Sequence, residues 1–259
     1  MNGSINNIVT GIIPARYAST RFPGKPLAMI GNKPMIQRVY EQSSKAIDLV
    51  YVATDDERIL SCVRNFGGKA VMTSGNHFSG TDRCAEAAVI IENEIGHPVD
   101  VIINIQGDEP FIKPEQIRLI ESCFTEEEVD IATLVRKVES NEDLFNTNLP
   151  KVVISKLHNA LYFSRSTIPF IRDAEQKEWN KKHVFYKHIG IYGYRKQVLK
   201  DITVLERSDL EIAESLEQNR WLENGYRIRT AETEWESIGI DEPADIDRAE
   251  SFIKEFFGE

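Results

Sequence analysis

Ile12-Ile13-Pro14-Ala15-Arg16-Tyr17-Ala18-Ser19-Thr20-Arg21-Phe22-Pro23-Gly24-Lys25-Pro26-Leu27 continues an apolar run that begins at Ile8, then delivers three cations among Pro, Gly, Ser and Thr. A buried strand, Ile8 to Ile13, that ends at the carboxyl edge of a parallel sheet hands its next loop to the crevice where open α/β sheets bind ligands. Ser19, Thr20 and Gly24 can turn backbone N–H groups toward an anion. Arg16 and Arg21 offer planar forks to phosphate oxygens, and Lys25 a compact point charge. The stretch predicts a parallel α/β sheet with a polyphosphate site at the end of its first strand; the plainer alternative is a solvated basic turn capping a first helix. Neither G-x-x-x-x-G-K-[ST] nor G-x-G-x-x-G is present, so neither a Walker nucleotidase nor a dinucleotide-binding enzyme is indicated.

The first half of the chain supports that reading by alternating short apolar runs with helical patterns. Ile8 to Ile13, Leu49 to Ala53, Ala70 to Met72 and Val99 to Ile105 read as strands; Met35 to Ala46, Glu57 to Phe66, Thr81 to Ile95 and Pro114 to Phe124 read as helices. After Asp130 the character changes. Ile131 to Val138, Val152 to Lys156, Leu161 to Arg165 and Ile189 to Tyr194 are strand-like with few helices between them, as an antiparallel extension or lobe requires, and Asp173 to His183 reads as a charged surface excursion. A helix from Leu210 to Asn224 stops at Gly225. Arg227 to Glu234 and Ser237 to Ile240 return to the sheet, and a last helix follows Asp241-Glu242-Pro243. With no linker or repeat, the 259 residues are expected to form a single α/β domain in which approximately residues 130–200 contribute a smaller lobe.

A formal net charge of −10 disfavours nucleic acid as the main partner, which makes the cationic first loop a local exception. Cys62, Cys84 and Cys123 lack any C-x-x-C spacing and read as reduced thiols rather than a disulfide framework or zinc site. The start Met1 to Asn7 has no basic and apolar leader pattern, and no run reaches membrane-spanning length, so no membrane insertion and a cytoplasmic location are expected.

Two segments place carboxylates beyond strand ends. Gln106-Gly107-Asp108-Glu109-Pro110 follows a central apolar run, and Gly239-Ile240-Asp241-Glu242-Pro243 repeats the layout near the C-terminus. Two such carboxylates can share a Mg²⁺, which takes one or two protein carboxylates and completes its shell with phosphates and water. Asp241 is equally suited to capping the last helix. Ser79-Gly80-Thr81-Asp82-Arg83 fits a capping turn, or a loop touching base or ribose with Arg83 tied to neighbouring carboxylates. Asp56 reads as a helix cap and leaves Asp55 unexplained. Strand alternation sends Arg165, His188 and Tyr192 to polar faces, where they could meet an anionic, hydroxyl-rich substrate. Glu211, Glu214, Glu217 and Gln218 have the helical spacing of a solvated face, although one could meet sugar hydroxyls.

With these segments in view, the sequence resembles the 3-deoxy-manno-octulosonate (Kdo) cytidylyltransferase family, the CMP-Kdo synthetases, along essentially its whole length. P-A-R-x-x-S-T-R-x-P-G-K at Pro14 to Lys25 is shared by sugar-activating nucleotidyltransferases broadly; Tyr162-Phe163-Ser164-Arg165 and His188-Ile189-Gly190-Ile191-Tyr192-Gly193-Tyr194 are narrower. The resemblance implies a three-layer nucleotide-diphospho-sugar transferase fold with a mixed, mainly parallel central sheet, Mg²⁺ dependence, and homodimers joined through the smaller lobe. It implies that CTP and Kdo are the substrates, giving CMP-Kdo and pyrophosphate for lipopolysaccharide synthesis. Ala15, Arg16, Ser19, Arg21, Lys25, Ser79, Gly80, Thr81 and Gln106 would then hold CTP, Asp108 and Asp241 the metal, and Arg165, His188, Tyr192, Glu217 and Gln218 the sugar acid. Asp108, Asp241, Lys25 and Arg21 would be catalytic. Asp82 in place of a commoner Glu, and Ser208-Asp209-Leu210-Glu211 in place of S-P-L-E, leave the choice between Kdo and its 8-amino analogue open. A metal-dependent glycosyltransferase would ordinarily carry D-x-D, absent at Gly107 to Pro110, and a nucleotide-sensing protein would not need both carboxylates.

Overall fold

The computed structural model describes residues 7–236 and 238–258. Strand β1 (Val9–Ala15) sends neighbouring side chains to opposite faces: Ile12 joins one core and Ile13 the other, each wholly buried. Full burial of such a side chain is worth about 2 kcal/mol. A small hairpin, β2 (Met29–Ile30) and β3 (Lys33–Pro34), leads into α1 (Met35–Ser44). Then β4 (Val50–Thr54), α2 (Glu57–Asn65), β5 (Ala70–Met72), α3 (Gly80–Ile95), β6 (Val101–Asn104) and α4 (Pro114–Cys123) alternate as the apolar periodicity predicts. Strands β1, β4, β5 and β6 pair in parallel.

The second half builds the other side of the sheet from β7 (Ile131–Lys137), α5 (Asn141–Phe145), β8 (Lys151–Ile154), β9 (Ala160–Ser164), α6 (Trp179–Lys182), β10 (Tyr186–Arg195) and α7 (Lys196–Ile202). It closes with α8 (Asp209–Glu214), α9 (Glu217–Glu223), β11 (Ile228–Glu232) and α10 (Ala244–Phe257). The strand order is β11-β7-β10-β6-β1-β4-β5, with β10 antiparallel to both neighbours and with β8 and β9 added beside its first residues. One face is covered by α3, α7 and α9 through Ala87, Ile91, Leu199, Ile202 and Trp221; the other by α1, α2 and α4 through Ile36, Val39, Ile59, Val63, Ile117 and Ile120. The fold is therefore the mixed, mainly parallel three-layer arrangement expected.

Four expectations need correction. The helix from Leu210 to Asn224 is two helices, α8 and α9, broken where Ser215 takes a left-handed conformation at φ 52°. Arg165 satisfies the carbonyls this break exposes, donating from Nε to Glu214 and from Nη2 to Ser215. The segment Asp173 to His183 is not wholly surface: Trp179 is buried in a satellite core with Val138, Leu144 and Phe185. Ser237 lies outside the described residues, and 238–240 form no strand but a strut in which the Ile240 N–H donates to the Asp108 carbonyl. Asp241 does not cap the last helix, because Pro243 occupies that position. The N-terminal run Met1 to Asn6 also lies outside the described residues.

Candidate active site

Three loops, those after β1, β5 and β6, meet at the carboxyl edge of the sheet. The loop after β1 turns back on Tyr17, whose carbonyl accepts the N–H groups of Ser19 and Gly24, both at 2.9 Å. Gly24 has φ 72°, a conformation that costs glycine little. Arg58 lies 3.3 Å from the Tyr17 ring centroid and is held in a fork by Asp56, the N-cap of α2, so that the loop after β1 is braced from outside. The loop after β6 passes so near β1 that a Cβ on Gly107 would sit 2.8 Å from the Pro14 carbonyl oxygen. The third loop ends at Ser79, which caps α3 in a reciprocal box with Asp82; the shorter acid at this position completes the box. Buried Arg83 donates to Asp55 at 2.9 Å and to Thr73 at 2.6 Å, which gives Asp55 its role.

Between them lies a cleft of about 360 Å³ lined by Ala15, Arg16, Ser19, Arg21, Lys25, Ser79, Gly80, Gln106, Asp108 and Asp241. Every residue expected at the nucleotide and metal is there except Thr81. Its buried hydroxyl instead donates to Glu217 Oε2 at 2.9 Å, so it faces the protein interior. Lys25 is the electrostatic centre: Nζ donates to Asp108 Oδ2 at 2.6 Å, to the Ile240 carbonyl at 2.9 Å and to Asp241 Oδ1 at 3.5 Å. Arg21 Nη2 reaches Asp241 Oδ1 at 3.1 Å. Two carboxylates far apart in the chain thus converge on one cation. Their hard oxygen donors, open to the cleft, fit Mg²⁺ in number and chemistry; among the described residues no group of three or more His, Cys, Asp or Glu gathers to form an alternative metal site.

None of the residues expected on the sugar side lines that cleft. His188 is half-buried between Phe163 and Tyr192, with Nε2 2.9 Å from Thr133 Oγ1. Desolvation pulls its pKa down to about 4, so the ring is neutral at pH 7. Tyr192 is buried rather than on a polar face, because it stands in register with Asn104 and Thr133 at the middle of the sheet and packs edge-on against Trp221. Burial pushes the Glu217 pKa up despite its bonds from Thr81 and Arg220, and Gln218 beside it is buried. Arg165 is half-buried and gives one N–H from each of its three nitrogens to backbone carbonyls; two N–H groups are left for a ligand. Burial works against ionised Glu214, yet bonds from Ser164, the Arg165 N–H and Tyr162 hold its carboxyl below the ordinary value. Among the described residues, the thiols of Cys62, Cys84 and Cys123 are free.

The cleft also contains His77 and Phe78, which the sequence reading passed over. Phe78 is 98% exposed, and His77 Nε2 contacts Glu86 Oε2. A bulky apolar residue directly before a helix cap was the available signal for Phe78.

The sequence profile of the cytidylyltransferase family matches residues 10–230. The 3-deoxy-manno-octulosonate cytidylyltransferase of Parabacteroides distasonis is 60% identical over 247 residues, covering 94% of this chain and 97% of that protein. The enzyme of the same name from Bacteroides thetaiotaomicron is 58% identical with the same coverage. Among solved structures, CMP:2-keto-3-deoxy-manno-octonic acid synthetase complexed with CTP superposes with a TM-score of 0.87 at 40% identity, covering 96% of this chain and 99% of that one. Sequence match, fold and the convergence of the strand-end loops agree: the chain belongs to the cytidylyltransferase family, among the 3-deoxy-manno-octulosonate cytidylyltransferases.

Proposed function

We propose that this chain activates Kdo with CTP, the anomeric hydroxyl attacking the α-phosphate to give CMP-Kdo and pyrophosphate. The observation that carries the reading is the convergence of Asp108 and Asp241 on the Lys25 ammonium in a cleft lined by Arg16, Ser19 and Arg21. Arg16, Arg21, Lys25 and the N–H groups of their loop hold the triphosphate, while Ser79, Gly80 and Gln106 border the nucleoside. With the phosphates on Lys25 and Arg21, Asp108 and Asp241 would hold a divalent cation. Mg²⁺ held there would supply Lewis acidity toward the attacking hydroxyl. Lys25 and Arg21 then offset charge on the departing pyrophosphate. No covalent enzyme intermediate is required, since transfer of this kind depends on alignment and charge.

On the acceptor side, Arg165 with its two remaining N–H groups answers the sugar carboxylate, and His188, Tyr192, Glu217 and Gln218 meet hydroxyls. A homodimer is supported by the apolar side chains exposed on the segments around β9 and β10, namely Leu157, Leu161, Phe170 and Val184. No described helix is long and apolar enough to cross a membrane, and we assign the enzyme to the cytoplasm, supplying CMP-Kdo for lipopolysaccharide synthesis. The test is purified protein with each of the four NTPs, Mg²⁺ and a panel of sugar acids that includes Kdo and its 8-amino analogue. Pyrophosphate is expected with CTP and Kdo; its absence with CTP and both of these acids overturns the proposal, and release of nucleoside diphosphate marks a glycosyltransferase instead.

A further inference from the structure

We propose that Asp245 is a positioning residue for Asp241, a role that rests on the reading of Asp241 as a metal ligand. The Asp241 side chain is 55% exposed at the lip of the cleft, so its own packing does not fix it. Its backbone is fixed on both sides. Before it, Ile240 is buried in the core of Ile30, Met35, Phe111, Ala249 and Ile253, and its N–H donates to the Asp108 carbonyl at 2.9 Å, tying the two carboxylate-bearing segments together. After it, a single oxygen of Asp245, Oδ2, accepts the N–H of Asp241 at 2.9 Å and the N–H of Glu242 at 3.0 Å. These two bonds are the main reason the Asp245 carboxyl lies below its ordinary pKa. The other oxygen meets Arg248 at 3.2 Å, one turn along α10.

Asp245 therefore sits in the second layer around the cleft, gripping the peptide that carries Asp241 while α10 is held separately by Phe252, Phe256 and Phe257 against Phe111. Residues that orient metal ligands in this way typically change metal affinity by roughly 10- to 100-fold when lost. The competing explanation is that Asp245 merely stabilises the N-terminus of α10 through its charge.

Position and charge separate in two substitutions. Asp245→Asn loses the charge but keeps an oxygen able to accept both N–H groups; Asp245→Glu keeps the charge and displaces the oxygen by a methylene. Mn²⁺ binding in the presence of CTP, followed by calorimetry, and the Mg²⁺ concentration for half-maximal turnover are the readouts. Positioning predicts that Asp245→Glu and Asp245→Ala weaken the metal by about ten-fold or more with a smaller change in the CTP KM. Asp245→Asn should stay within about three-fold of wild type, and Arg248→Ala, which breaks only an exposed pair, should leave metal binding unchanged. The opposite ranking, with Glu restoring and Asn failing, assigns Asp245 to helix stabilisation and overturns the proposal, as does wild-type metal binding in Asp245→Glu. Failure of the functional reading shows itself separately, as wild-type protein that releases no pyrophosphate from CTP with Kdo or its 8-amino analogue.

Discussion

Lys25 holds both candidate metal carboxylates through a single ammonium, and this sets what its loss should do. Lys25→Met removes a cation that competes with the metal and a cation that binds phosphate. The nucleotide-free variant should therefore bind Mn²⁺ more tightly than wild type while its CTP KM rises, two opposite shifts that calorimetry and steady-state kinetics can resolve. Asp108→Ala should fold yet lose about 10³-fold or more in turnover, the several kcal/mol expected from a catalytic cation; near-normal Mg²⁺-dependent rates would show that Asp108 is not a ligand. His188 makes a prediction about pH. Its folded pKa is lowered to about 4 from an unfolded 6.5, so between those values the unfolded chain binds the extra proton and stability rises with pH. The contribution is present above about pH 6.5 and is lost as pH falls toward 4, by about 2 kcal/mol after allowing for the solvent that reaches a half-buried residue. Chemical denaturation from pH 7 to pH 5 should show a steeper loss in wild type than in His188→Gln; equal slopes would place the imidazole in a solvated environment.

Among the elements, those whose signal is local were readable and those set by tertiary contacts were not. Strand β5 has the bounds its apolar run gives, and α3 differs by one residue because Gly80, not Thr81, follows the Ser79 cap. The break at Ser215 is invisible in the periodicity of Leu210 to Asn224, since the groups that stabilise it come from Arg165 on the segment after β9. Likewise the strut at 238–240 has the composition of a strand but finds its partner in the Asp108 carbonyl instead of a ladder. The left-handed Ser215 also permits a direct test. A β-branched residue is strained at φ 52° while glycine is not, so Ser215→Val should lose about 1–2 kcal/mol in urea unfolding and raise the KM for the sugar acid through displaced Arg165. Ser215→Gly should stay close to wild type. Equal stability of the two variants would mean that the break is set by the loop around it and not by this residue.

At the scale of the whole molecule, the cleft proposed for the nucleotide was legible because most of its lining follows strands β1, β5 and β6, at the sheet edge where open α/β sheets bind ligands. The residues proposed for the sugar acid were named only through likeness to a family, since Arg165, His188, Tyr192 and Glu217 come from three separate segments that no spacing relates. The structure adds a hydrogen bond between the two proposed sides. Thr81 leaves the first turn of α3, whose preceding loop lines the cleft, and donates to Glu217 on α9. Glu217 is also held by Arg220, and burial already raises its pKa. Thr81→Val would strand one carboxylate oxygen without its donor, a loss of about 1–3 kcal/mol. If this bond connects the two halves, Thr81→Val should raise the KM for both CTP and the sugar acid. Glu217→Gln, which can still accept from Thr81, should act mainly on the sugar acid. In the double variant the effects should fall short of their sum by about 1 kcal/mol or more in kcat/KM, whereas strict additivity would show that the cleft and the sugar cluster bind their substrates independently.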